Sequence, residues 1–232
     1  MRIEVASENS LIVYFGDKTS PEISAQVQRA NDTLKTALGD QLIDLVASYA
    51  SLLVIFDPLQ CDQLAIRVTI QAALSQDSGE ALSTSAAANC VELPVYYSEE
   101  SGPELALISE NTGLSIEEII EIHQSVTYRV YAIGFAPGFA FLGETDPRIA
   151  TPRLTTPRLK VPRGAVGIAD RQTAVYPDVS PGGWNLIGLC PTRMFDPDAT
   201  PTMPVTVGDE VRFKAIDKET FLSLGGELGE YK

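Results

Sequence analysis

A single histidine, His123, among 232 residues excludes a histidine-rich metal centre. The three cysteines, Cys61, Cys90 and Cys190, are odd in number, far apart and without a CxxC pair. That pattern suggests neither a disulfide framework nor a thiolate zinc site, and leaves them as small buried apolar residues. No metal held by this chain is expected. Long hydrophobic runs are also missing: the best, residues 42–56, is broken by Asp44, Ser48 and Ser51, so no membrane span is expected. The opening MRIEVASENS has no apolar signal-peptide core and nothing resembles a lipidation site, which leads to the expectation of a cytoplasmic protein. GxxxxGK[ST], GxGxxG after a strand, GxSxG and HExxH are all absent, which disfavours a stand-alone ATPase or serine hydrolase. Basic residues are scarce, 17 against 31 acidic ones, and the net charge of -14 argues against nonspecific nucleic-acid binding.

What is present is a globular composition, 44% hydrophobic, in a chain long enough for one large domain or two ordinary ones. The charge is unevenly spread. Residues 91–147 carry 10 acids and 1 base, whereas residues 148–171 carry 6 bases against Asp170 alone. A local net of +5 has two readings that the sequence leaves open: an anion site for phosphate or carboxylate, or internal ion pairs with the acidic segment just upstream.

In chain order, residues 2–15 read as one strand, or two bent near Glu8 to Ser10. A helix follows, capped by Ser20, opened by Pro21, striped by Ile23, Val27, Ala30, Leu34 and Leu38, and ended by Gly39. Residues 42–56 read as a β-hairpin. Asp57 and Pro58 then predict a helix running to about Leu74, and the small polar stretch 76–88 a loop or linker. Residues 91–97 (VELPVYY) are a strand candidate in which Pro94 favours an edge or a bulge. The order β-α-β-β-α-β is that of a ferredoxin-like α+β domain, placed at residues 1–88 with its last strand possibly at 91–97. Helices are predicted over 103–110 and 115–125, the second with a capping box formed by Ser115 and Glu118 and an apolar stripe of Ile116, Ile119 and Ile120 ending at His123. Beyond Tyr128 helix signals nearly vanish. The short runs VGIA, TAVY, WNLIGL, PVTV and EVRFKAI predict a closed or folded-over β-barrel over 89–232, with residues 206–213 as a hairpin turning at Gly208 and Asp209 and a glycine-rich acidic tail that frays from Leu224.

The chain centres on residues 131–184. Gly134, Gly138 and Gly143 alternate there with Phe135, Phe139 and Phe141. Pro152, Pro157 and Pro162 then recur every five residues, each followed by an arginine, Arg153, Arg158 and Arg163. A five-residue interval aligns side chains on neither a strand nor a helix, so these arginines meet only if the chain bends between them. SPGGW, residues 180–184, reads either as a backbone nest for an anion or as a tight turn beside a buried tryptophan. Gln172 and Tyr176 are positioned to bond a ligand or a neighbouring strand. His123 is either a partly buried structural histidine or the natural group for proton transfer near neutral pH.

The run of His123, YRVYAIGFAPGFAFLGETDPRIATPRL, VPRGAVGIADRQTAVYP, SPGGWNLIG and CPTRMFDP resembles the family that contains the B subunit of 5-oxoprolinase, the histidine-kinase inhibitor KipI and allophanate hydrolase subunit 1. The pattern is departed from at Arg163, Asp170 and Leu189. The resemblance implies an N-terminal α+β domain followed by a cyclophilin-like β-barrel. It implies one component of a hetero-oligomer, which works with a homologous partner, the 5-oxoprolinase C component, and with the A component. Together these would phosphorylate the small-molecule substrate 5-oxoproline with ATP and magnesium and convert it to glutamate. ATP would be bound by the assembled complex. Within that frame His123 takes proton transfer or substrate orientation, Arg153 and Arg158 bind phosphate or carboxylate, and Ser180, Gly182, Gly183, Trp184, Gln172 and Tyr176 contribute to binding. Phe135, Pro137, Gly138 and Phe139 shape the pocket. The alternatives that the same family implies are an inhibitor docking on a sensor histidine kinase and a domain associated with urea or allophanate carboxylases.

Overall fold

The computed structural model describes residues 1–76 and 89–231 and divides into two compact units, Met1–Ala88 and Asn89–Lys232. In the first unit, β1 (Arg2–Ser7) and β2 (Ser10–Tyr14) form a hairpin, followed by α1 (Pro21–Leu38), β3 (Leu42–Ala47), β4 (Ser51–Phe56) and α2 (Gln63–Gln76). The four strands make one antiparallel sheet in the order β1-β2-β4-β3. Period-2 alternation turns Leu11, Val13, Leu52, Val54 and Phe56 to one face, where they pack on Val27, Ala30, Leu34 and Leu38 of α1 and Ile66 and Ile70 of α2. Helix α1 begins where the sequence places it, with Ser20 Oγ accepting from the Ile23 N–H at 3.2 Å and Pro21 in the first turn.

Two expectations for this unit are corrected. Helix α2 starts at Gln63 and not after Pro58, because Asp57 closes a turn of its own, accepting from Leu59 N–H and from the Gln60 side chain. Asp62 supplies the effective cap, accepting from Ala65 N–H at 2.8 Å. Residues 91–97 do not complete a ferredoxin-like sheet here; they belong to the barrel of the second unit. Of the predicted linker, residues 77–88 lie outside the described residues.

The second unit holds β5 (Cys90–Tyr96), α3 (Leu105–Thr112), α4 (Ile116–Ser125), β6 (Tyr128–Ile133), β7 (Ala140–Gly143), β8 (Arg158–Val161), β9 (Ala165–Ala169), β10 (Gln172–Val175), β11 (Ser180–Gly182), β12 (Asn185–Leu189), β13 (Glu210–Ile216) and α5 (Lys218–Ser223). Seven strands close a barrel in the order β10-β7-β6-β13-β5-β12-β9, and β8 and β11 form a separate two-stranded ribbon. β5 runs parallel to β13 from Cys90↔Glu210 to Tyr96↔Ile216, while it meets β12 only at Tyr96↔Leu189. Pro94 therefore sits opposite Lys214 of β13 at a point where β12 makes no pairing, which suits a residue without an N–H.

The barrel wall is apolar on both faces. In β9, Val166 and Ile168 enter one core with Leu93, Tyr128, Leu142 and Phe213, whereas Ala165 and Ala169 enter the other with Phe139, Tyr176 and Trp184. Helices α3 and α4 add Leu105, Ile108, Ile119 and Ile122 to the first core. Strands buried on both faces read as unbroken apolar runs, as AVGIA and NLIGL do here. The predicted capping box at α4 is present, with Ser115 accepting from Glu118 N–H and Glu118 accepting from Ser115 N–H.

Three further expectations are corrected. Residues 206–209 turn but have no strand before them, because Asp209 bonds back to the Thr206 N–H and hydroxyl while Gly208 N–H donates to Val130. A helix, α5, does occur after Tyr128, capped by Asp217 on Thr220 N–H at 2.7 Å. The C-terminal tail is tied down, with Tyr231 donating to the Ser101 carbonyl at 2.7 Å. Among the described residues no helix is long and apolar enough to cross a membrane.

Candidate functional site

The ribbon of β8 and β11 brings the arginine repeat to SPGGW. Gly182 lies opposite Arg158 and Ser180 opposite Val161. The loop before β8 is pinned to the same segment: Leu154 N–H donates to Gly183 at 2.7 Å, and the Asn185 amide donates to Pro152 at 2.8 Å and to Ile168 at 3.1 Å. This is the bend that a five-residue interval required. It sets the Arg153 guanidinium 5.7 Å from the Trp184 ring centroid, a cation–π contact on an otherwise exposed side chain.

Beneath Arg153 lies an aromatic cluster. Phe139, buried, meets Phe141, Tyr176 and Trp184 edge to face with centroids 4.8, 5.3 and 5.6 Å away. Burial pushes the Tyr176 phenol up to about 12, against the opposing pull of a hydrogen bond with the Trp184 backbone and the charges of Arg153 and Arg158. Gly182 is close-packed on the Tyr176 hydroxyl, leaving no space for a side chain. Gly138, at φ 82, is required as well: a Cβ there would stand 2.5 Å from the Met194 carbonyl oxygen. Phe135 is held at φ 72 and is 70% exposed, and its ring meets Phe139 edge to face at 5.3 Å from the rim of the cluster.

Arg158 is not a free anion ligand. It pairs with Glu104, at side-chain exposures of 17% and 7%, and the second Glu104 oxygen accepts from Leu186 N–H at 2.8 Å. Arg148 pairs with Asp146 and Arg171 with Glu144. Half of the basic segment is thus matched by the acidic stretch upstream, whereas Arg153, Lys160 and Arg163 make no ion pair among the described residues. Sequence reasoning does not single out Glu104; the charge inversion is the only signal that points to it. Gln172 lies in the barrel wall, in register with Gly143 and Ala169.

His123, for which the sequence leaves open a structural place or a part in proton transfer or substrate orientation, lies in the protein core. It is 0% exposed in the core beside Phe213, with ring centroids 4.6 Å apart. Its Nδ1 lies 2.8 Å from the Tyr97 hydroxyl and its Nε2 3.0 Å from Thr173 Oγ1. Thr173 uses its own hydrogen on the Gly167 carbonyl, so it accepts from Nε2–H, and Nδ1 then accepts from Tyr97. Both nitrogens of a neutral ring are occupied. Burial pushes the His123 pKa down to about 3, which favours the neutral ring with its one proton on Nε2.

The sequence matches the family described as carboxyltransferase domain, subdomain C and D, over residues 1–205. It is 34% identical over 228 residues to the B subunit of 5-oxoprolinase from Bacillus subtilis (strain 168), covering 95% of each chain. It is 46% identical over 123 residues to the B subunit of 5-oxoprolinase from Escherichia coli O157:H7, covering 53% of this chain and 56% of that one. Among solved structures, TTHA0988 superposes with a TM-score of 0.80 at 32% identity over 97% of this chain, which spans 41% of that protein. PH0987 from Pyrococcus horikoshii gives 0.56 at 40% identity, over 95% of this chain and 100% of its own. The Kluyveromyces lactis urea carboxylase, at 17% identity and a TM-score of 0.76 over 95% of this chain and 22% of its own, shares the fold. With a family match over residues 1–205 and 34% identity to a curated relative along 95% of both chains, this chain belongs to the carboxyltransferase subdomain C and D family that includes the B subunit of 5-oxoprolinase.

Proposed function

We propose that this chain is the B component of an ATP-dependent 5-oxoprolinase, acting with the C and A components to convert 5-oxoproline to glutamate. The observation that carries this reading is the 34% identity along 95% of both chains to the B subunit of a 5-oxoprolinase. A lactam carbonyl is a poor electrophile. Phosphoryl transfer from ATP to its oxygen creates a leaving group, and the charge that develops is stabilised by arginines and backbone donors.

Arg153 suits that task, being exposed, unpaired with any acid among the described residues and braced by Trp184. Tyr176, Gly182 and Gly183 fix the tryptophan and the ribbon beneath it. Arg158 and Phe139 support the same surface from within. Magnesium is expected to accompany ATP, whose phosphates and waters supply most of its ligands; among the described residues no group of three or more His, Cys, Asp or Glu could hold a metal ion.

The test mixes the chain with its partner proteins and follows ADP release with and without 5-oxoproline. Release that requires both the substrate and this chain supports the reading. An intact complex that releases no ADP in response to 5-oxoproline overturns it.

A further inference from the structure

We infer that the second unit carries a separate binding cleft for a small monocarboxylate with a compact apolar body. The cleft, of about 570 Å³, opens beyond the far end of the β8–β11 ribbon. Arg158 and Gly182 mark one end of that ribbon and Val161 and Ser180 the other. Ser180 lines the cleft, and Arg163, two residues past Val161, faces it together with Arg193. The volume lies in the range that encloses small organic ligands.

The charge of the ligand follows from the lining. Two arginines face Asp178, and Asp196 beside the cleft offsets Arg193, so the site has little net charge to match a polyanion. Arg163 has no ion pair or hydrogen bond among the described residues. Arg193 is held by Asp196 at 3.5 Å, with 65% of its side chain exposed, and that loose surface pair leaves most of its five donors free. Asp178 is committed to the neighbouring backbone, accepting from Val179 N–H at 2.7 Å, and its charge opposes a polyanion. One negative charge matches this lining; a polyphosphate does not.

The chemistry of the ligand follows from the donors. Pro137, Pro177 and Pro197 form much of the wall, and proline has no N–H, so the backbone there offers an anion nothing. Recognition falls to the two guanidinium groups, whose planar forks match a carboxylate, and to Ser180. The Ser180 Oγ is shielded from solvent and has no hydrogen-bond partner. A shielded hydroxyl without a partner is costly unless a ligand or water satisfies it. Val179 and Phe195, 50% and 37% exposed, give the remainder of the ligand an apolar surface. Neither Arg153 nor Trp184 lines the cleft, although Ser180 and Pro137, which the resemblance gives to binding and to the pocket, do.

The experiment titrates the full chain with cyclopentanecarboxylate, with the uncharged cyclopentanecarboxamide and with pyrophosphate, followed by amide chemical shifts. Millimolar or tighter binding of the carboxylate is expected, mapped to residues around 136, 163, 178–180 and 193–195 and absent for the amide. Arg163→Gln and Arg193→Gln should each weaken it by about tenfold or more, the loss of one charge-assisted hydrogen-bond pair, while Arg153→Ala leaves it unchanged. No saturable shift with the carboxylate, equal binding of the amide, stronger binding of pyrophosphate, or full affinity in both glutamine variants overturns the assignment. Native amide spectra of the variants establish that they are folded.

Discussion

Acidification should destabilise this protein through its one histidine. In the unfolded chain His123 takes up a proton near 6.5, whereas in the native core burial holds it down to about 3. Between those values the unfolded state binds more protons than the native state, so stability is fully present above the unfolded value and is lost as pH falls through the window. The slope approaches about 1.4 kcal/mol per pH unit, and from about pH 7.5 to about pH 5 the loss amounts to about 2 kcal/mol. The carboxylate of Asp146, held down to about 2 chiefly by its hydrogen bonds with Arg148, titrates below this window. Urea denaturation at the two pH values, on the wild type and on His123→Gln, isolates the effect. The variant should be weaker near neutrality, because Tyr97 and Thr173 lose partners fitted to a ring, yet its stability should change about 2 kcal/mol less than the wild type over the same interval. Because there is only one histidine, its ring resonance is unambiguous in the NMR spectrum. A native-state titration midpoint near the ordinary histidine value, or the same acid slope in both proteins, would refute the reasoning.

Glu104→Ala leaves Arg158 without its acid and Leu186 N–H without its acceptor, and should lower unfolding stability by about 3 kcal/mol or more in urea titrations; Glu104→Gln, which keeps an acceptor, should cost less. Gly138→Ala combines an unfavourable φ of 82 with a 2.5 Å approach to the Met194 carbonyl, and a loss of at least about 2 kcal/mol by thermal unfolding is expected, whereas an unchanged midpoint would mean that the loop yields freely. Arg153→Ala should reduce 5-oxoproline-dependent ADP release of the assembled enzyme by about tenfold or more with the unfolding midpoint unaltered, and undiminished release would remove Arg153 from the proposed site.

The local grammar of the chain was readable without coordinates. Ser20 with Pro21, and Ser115 with Glu118, fix helix starts because the bonds that satisfy the first N–H groups span only three residues. The runs VGIA and WNLIGL announced strands, and the excess of bases over 148–171 announced either an anion site or internal ion pairs. Only the tertiary structure decided where. Residues 91–97 pair with β13, more than 100 residues downstream, and strand-forming character carries no record of its partner. Glu104 meets Arg158 across 54 residues and His123 meets Thr173 across 50, distances over which spacing says nothing about contact. The same folding pairs one arginine with an acid in a largely shielded place and leaves another, five residues earlier in the same repeat, open to solvent over a tryptophan. Identical local motifs acquired opposite electrostatic surroundings because Arg158 opens a ribbon strand beside Glu104, whereas Arg153 lies in the exposed loop before it.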